Sequence, residues 1–367
     1  MTKSLTVLWD WLTECDPTLR LRPREAALLK QKRLHCTSFE TAKAFARICA
    51  GQIALFDGPL VRVVDSPGDP EQLRRSLLNG LKHGFPRKTR ARTQVGRRRN
   101  RRYLKLPELV ERWETGKSIL SVTDLHIRGT RFEQVIDTAP LSNFNVLCND
   151  SEFATEFIDK IEMMTMVVSA RGNVTDSHTD DCDGTNHCFV GRKIWLAWDR
   201  LEGQKRGLQD TTRDDIYDQA RFDMATYLSL PSAKWFIVKP GETLFLPGSF
   251  AHKVITLEPY IGVGSFNVTL PGALGTLSRW HLHGTTDVHR KDLLEKITSA
   301  IIRRVLLLRG ASRKSREAWG LAYMQRAVAQ WRRRQPDEAK QRLLSDTGFR
   351  SFIDVAGESE SHAPEAV

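Results

Sequence analysis

Residues 173–180 read Asn-Val-Thr-Asp-Ser-His-Thr-Asp, and residues 240–254 read Pro-Gly-Glu-Thr-Leu-Phe-Leu-Pro-Gly-Ser-Phe-Ala-His-Lys-Val. In an extended chain, residues i and i+2 point the same way, so His178 and Asp180 offer an imidazole and a carboxylate to one side. The second stretch is punctuated by turns. Pro240-Gly241 and Pro247-Gly248 bracket a short apolar strand, Thr243 to Leu246, and His252 enters the strand that follows.

Between the two stretches lies Cys188-Phe189-Val190-Gly191-Arg192-Lys193-Ile194-Trp195-Leu196-Ala197-Trp198, an apolar strand that carries a lysine. A lysine among Ile, Trp and Leu either reaches outward to water or holds a buried anion. Thr175 stands three residues before His178, with its hydroxyl available to the same anion. Two histidines and one carboxylate on a metal make the facial triad of non-haem iron(II) oxygenases, which leaves coordination positions open for chemistry.

Short strand-like runs recur around these motifs, at residues 163–169, 188–198, 235–238, 243–246, 253–257 and 261–270, separated by Gly, Pro and Asp. The strand-rich region is expected to span residues 117–283 as a β-barrel or sandwich. Residues 1–81 read as mainly helical. Thr37 and Glu40 have capping-box spacing for a helix ending near Gly51, residues 53–56 and 60–64 flank Asp57-Gly58 as a hairpin, and Asp69-Pro70 opens a helix to about Leu81. Past residue 284 the period becomes helical. Leu293, Leu294, Ile297, Ile301, Val305 and Leu308 form a stripe ended by Gly310, a second helix is expected over 315–334, and residues 356–367 read as a disordered tail.

The 367 residues carry a net charge of +12, with 40% hydrophobic and 27% charged residues, which is ordinary globular usage. Eleven lysines and arginines and no acid lie between Lys82 and Lys105, so one segment holds almost all the excess charge. Residues 82–116 are set apart as a basic segment, with 82–105 lacking apolar periodicity and expected to be solvated. Arg97, Arg98, Arg99, Arg101 and Arg102 are the candidate nucleic-acid contacts, and nuclear targeting is the other use of such a block. The six cysteines show no C-x-x-C pair and there is no apolar run of membrane-spanning length, so the expectations are a reducing compartment, nucleus or cytosol, and no membrane partner.

Taken together, the H-x-D at 178–180, the G-x-K-x-W at 191–195 and the P-G-E-x-L-F-x-P-x-x-x-x-H-x-V at 240–254 resemble the JmjC-domain oxygenases of the cupin superfamily, over residues 117–283. The resemblance implies an α+β protein whose core is a double-stranded β-helix (jelly-roll) flanked by N- and C-terminal helices. It implies Fe(II) held by His178, Asp180 and His252, and 2-oxoglutarate as cosubstrate, its distal carboxylate on Lys193 with a hydrogen bond from Thr175. Asn267 resembles a position near the metal-bound end of the cosubstrate. The activity implied is hydroxylation or N-demethylation of a chromatin-associated or other protein substrate, such as a histone. Many members of the family place a tyrosine some way before the H-x-D, yet none occurs here between Tyr103 and Tyr217. Thr138, Asn143 and Asn145 are the candidates to replace it. That departure, with the arginine block, motivates the other reading, a catalytically degenerate JmjC-like module that binds chromatin or nucleic acid.

Overall fold

The computed structural model describes residues 3–38, 47–48, 51–57, 62–63, 68–96, 100–116, 118–137, 145–147, 164–180, 182–209, 222–283, 291–335 and 337–357. Its strands are β1 (Thr37–Ser38), β2 (Ala54–Asp57), β3 (Arg62–Val63), β4 (Arg90–Val95), β5 (Asn100–Lys105), β6 (Leu120–His126), β7 (Ile136–Asp137), β8 (Thr165–Ser169), β9 (Val174–Thr179), β10 (Asp183–Asp199), β11 (Lys234–Val238), β12 (Glu242–Leu246) and β13 (Phe250–Asn267). Eleven of them form one sheet in the order β1-β2-β12-β10-β13-β8-β6-β4-β5, with β11 added to β10 and β9 to β13. The molecule is thus mixed α and β, built on a large sheet whose pairings are antiparallel apart from β1–β2.

The two long strands organise everything else. β10 and β13 pair along almost their whole length, and the register shifts around Cys188 to Lys193 mark a bend. Gly191 makes that bend possible: its φ is +79°, and a Cβ there would stand 2.0 Å from the Pro259 carbonyl oxygen. Beyond the bend each strand changes neighbours. The first half of β10 pairs with β12 and the second with β11, while the first half of β13 pairs with β9 and the second with β8.

A run apolar on both faces is a strand covered on both faces, and β10 shows why. Ile194, Leu196 and Trp198 pack with the helices Lys3–Cys15 and Met224–Ser229, whereas Trp195 and Ala197 face Phe236, Val254 and Leu244 on the other side. Trp9 meets Trp235 edge-on at 5.4 Å, and the two indole N–H groups donate to the carbonyls of Leu19 and Leu29. Side chains of this size contribute roughly 1.5–3 kcal/mol each on burial. A second core lies between β4, β6, β8 and the helices Pro70–His83 and Leu106–Thr115, and a third within the C-terminal helices.

Several expectations need correcting. Thr37 lies in β1, beside Phe56 of β2, while most of the helix expected to end near Gly51, Glu40 included, lies outside the described residues. The 53–64 hairpin does not form, because β3 pairs with β7 instead of with β2. The described residues of 82–105 are not a solvated coil. They hold the end of the helix Pro70–His83 and the β4–β5 hairpin, whose Ala91, Thr93 and Leu104 are buried while Arg90, Arg92, Tyr103 and Lys105 are exposed. The inward residues are small and few, so the alternation was hidden under arginine. Strand structure ends at Asn267, and Leu270–His283 is a helix. The helix expected over 315–334 is two, Arg313–Ala318 and Leu321–Arg333, broken at Gly320 with φ +68°. By contrast, Asp69 caps the helix Pro70–His83 by accepting from the Glu71 N–H, as its position predicts.

Candidate metal centre

β9 reaches the first half of β13 with His178 opposite His252 and Thr175 opposite Val254. Three steps along β9 therefore match two along β13, and the extra residue is a β-bulge at Asp176-Ser177, opposite Lys253. Strict alternation would send Thr175 and His178 to opposite faces. The bulge cancels that, and both line the same cavity. Asp180 follows just past the end of β9 and turns inward with them.

His178 Nε2 lies 3.8 Å from Asp180 Oδ1, and His252 Nε2 lies 3.8 Å from Asp180 Oδ2. The two imidazole centroids are 4.1 Å apart, and one donor atom from each of the three residues lies within 4.8 Å of the others. Metal–ligand bonds of about 2.1 Å let donors this close share one ion. Among the described residues it is the one group of three or more His, Cys, Asp or Glu side chains so arranged. Cys182, His187 and Cys188 supply no second centre. His187 instead pairs with the Thr243 hydroxyl at 2.8 Å, and burial pulls its pKa down to about 4.

The tautomers follow from the backbone. His178 Nδ1 is 2.7 Å from the Asp176 carbonyl oxygen, which only accepts, so Nδ1 carries the proton and Nε2 keeps its lone pair for the centre. His252 makes the corresponding, longer contact with the Phe250 carbonyl at 3.5 Å. Each histidine is thus set by the carbonyl two residues before it. Trp195 stacks on the His252 ring, centroids 5.2 Å apart.

Two residues that sequence reasoning missed hold the ligands from behind. Arg279, on the helix Leu270–His283, donates to the carbonyl oxygens of Thr179 and Asp180. Burial pushes the Asp180 carboxyl above the usual carboxylate range, while His178 and Arg279 pull it back. Lys253 is buried and places its Nζ 2.7 Å from both Asp16 Oδ2 and Asp176 Oδ1, tying the bulge to the end of the first helix. Nothing in the local sequence marks either residue.

The cavity has a volume of about 280 Å³, and its lining includes Lys193 and Thr175 beside the three donors. Lys193 is 4% exposed and has no carboxylate partner among the described residues. Burial draws its ammonium down to about 7. Its Nζ sits 4.4 Å from the ring centroid of Tyr260, whose hydroxyl donates to Asn186 Oδ1 on the cavity wall. A tyrosine therefore stands beside the lysine after all, supplied from β13 downstream of the H-x-D. Asn145 is buried elsewhere, its Oδ1 accepting from Leu147 and Val268 N–H groups, and Thr138 and Asn143 lie outside the described residues. Asn267 is buried next to the cavity but not among its lining residues, with Nδ2 donating to Ser265.

Of the basic-segment residues, Arg97, Arg98 and Arg99 lie outside the described residues, Arg101 and Arg102 belong to β5, and Arg102 is exposed. The structure does not bring any described one of them to the cavity. No protein-family model matches the chain, and no curated protein matches it significantly.

Proposed function

We propose that the chain is a JmjC-type, Fe(II)- and 2-oxoglutarate-dependent oxygenase whose sheet is a double-stranded β-helix. One observation carries the reading: two histidines and an aspartate converge at the wall of a cavity that also holds a buried ammonium with no carboxylate partner among the described residues. The donor set suits Fe(II), and a buried cation without a counter-charge is costly unless an anion completes it. The long antiparallel pairing of β10 with β13, bent at Gly191, is the arrangement that supports the fold assignment.

Iron(II) with 2-oxoglutarate supplies the oxidising chemistry, in which one oxygen atom of O₂ enters a substrate C–H bond and the other enters the succinate formed as CO₂ is lost. The residues of the chain do the positioning. His178 and His252 present Nε2, fixed by the Asp176 and Phe250 carbonyls, and Asp180 presents its carboxylate, fixed by Arg279 through the backbone. Lys193 and the Thr175 hydroxyl take the distal carboxylate of the cosubstrate, whose charge restores the lysine to its protonated form. Trp195 and Val254 give the cavity an apolar wall that excludes water. The substrate class under this reading is a protein side chain, either hydroxylated or, at an N-methyl group, demethylated.

The test is succinate formation from 2-oxoglutarate by the purified chain supplied with Fe(II). It is expected to be abolished in His178→Ala and Asp180→Ala. A protein that binds iron stoichiometrically but forms no succinate would support the catalytically silent JmjC-like module instead.

A further inference from the structure

Part of the basic segment's charge is displayed on a surface with a definite shape. In the β4–β5 hairpin, Arg90 pairs with Lys105 and Arg92 with Tyr103, so these four side chains share one face. All four are exposed, and Tyr103 is 64% exposed. The opposite face carries Ala91, Thr93 and Leu104 into the core, so the display is held rigidly from behind. β5 ends the sheet order, with no further partner among the described residues.

The register says which way this face looks. Gln94, two residues beyond Arg92, pairs with Ser121 of β6, and Ser121 pairs with Ser169 of β8. Opposed residues share a face, and so do alternate residues along a strand. The face carrying Arg90, Arg92, Tyr103 and Lys105 is therefore continuous with the one carrying Val167 and Thr165, which line the cavity of His178 and His252. The base of the hairpin also borders a cleft of about 930 Å³, lined among the described residues by Arg87, Thr89, Leu106 and Arg131 and by no carboxylate.

We infer that the outer face of the β4–β5 hairpin, with the cleft at its base, binds single-stranded nucleic acid. Arg90, Arg92 and Lys105 contact phosphates, and Tyr103 stacks a base. Charged edge strands also serve to block unwanted strand pairing, but that role needs no aromatic ring held out in water among the cations. A rigid ring between cations is what an unpaired base and its flanking phosphates require. A duplex hides its base faces, and an acidic peptide or a lipid surface has none. The surface extends the basic-segment reading from a solvated segment to an ordered platform, and it stands independently of the oxygenase proposal.

The test uses the full chain without added metal and two labelled oligonucleotides of about twelve bases, oligo(dT) and oligo(U), in fluorescence anisotropy across a salt series. The expected result is single-strand binding that weakens with salt, about tenfold weaker in Tyr103→Ala and retained in Tyr103→Phe. Arg90→Gln and Lys105→Gln should each lower the log–log salt slope by about 0.7. Preference between the two oligomers assigns the partner as DNA or RNA, and either supports the surface. Equal or tighter binding of a duplex of the same length, equal binding of anionic vesicles, or indifference to Tyr103→Ala with intact circular dichroism would overturn it.

Discussion

Lys193 is buried beside Tyr260 and Cys188 with no carboxylate partner among the described residues, and its environment fixes the sign of its effect on stability. Its folded pKa of about 7 lies below the ordinary 10.5. Between those two values the unfolded chain binds the proton and the folded chain does not, so stability rises with pH across that window and the penalty is complete below it. Lys193→Met should therefore stabilise the ligand-free chain at pH 7 by about 1–4 kcal/mol in urea unfolding, because a buried charge is replaced by a side chain of similar volume. Under the proposed function, 2-oxoglutarate should raise the melting temperature of the wild type and not that of this variant. His187 acts with the same sign at lower pH. Its folded pKa of about 4 lies below the ordinary 6.5, so as pH falls through that window the unfolded state gains a proton that the folded state refuses. About 2–3 kcal/mol of stability should disappear between pH 7 and pH 4.5, and His187→Asn should show a shallower loss over the same range.

The helix Leu270–His283 reaches the site through one side chain. Arg279 touches no donor atom, yet its guanidinium holds the carbonyls on either side of the Thr179–Asp180 peptide bond. Arg279→Gln should weaken metal affinity by about 10- to 100-fold in a competitive chelator titration, with unchanged far-UV circular dichroism. That contact could not be anticipated from the chain, because the region around it reads as continuing strand until the helix is seen. Legibility elsewhere follows the same logic. The elements around His178, Lys193 and His252 were readable because a strand buried on both faces writes itself as an unbroken apolar run, and turns marked by Pro-Gly delimit it. The β4–β5 hairpin was not, since Ala91, Thr93 and Leu104 give too weak an inward signal against seven arginines. β3 was mispaired because two strands flanking an Asp-Gly look like a hairpin whether or not a distant partner, β7, competes. The bulge in β9 left no mark in composition, and only the register of His252 against His178 reveals it. Tyr260 was overlooked for a related reason: proximity to Lys193 is a property of the β10–β13 pairing, not of sequence separation.

Across the whole molecule, charge and chemistry are segregated along one sheet. The cavity donors lie on β13, on β9 beside it and just past the end of β9, whereas Arg90, Arg92 and Lys105 lie at the far edge, joined to β13 through β8 and β6. β13 also decides when the donor set comes into being. His178 and Asp180 are neighbours in the chain, but His252 meets them only after Phe250–Asn267 has been threaded beside both β9 and β10. Such non-local pairing is a late event in the folding of a β-rich chain. Loading of a metal at this donor group would therefore be downstream of tertiary closure: the metal-free chain must build its architecture unaided, and a chelator should leave the chain folded.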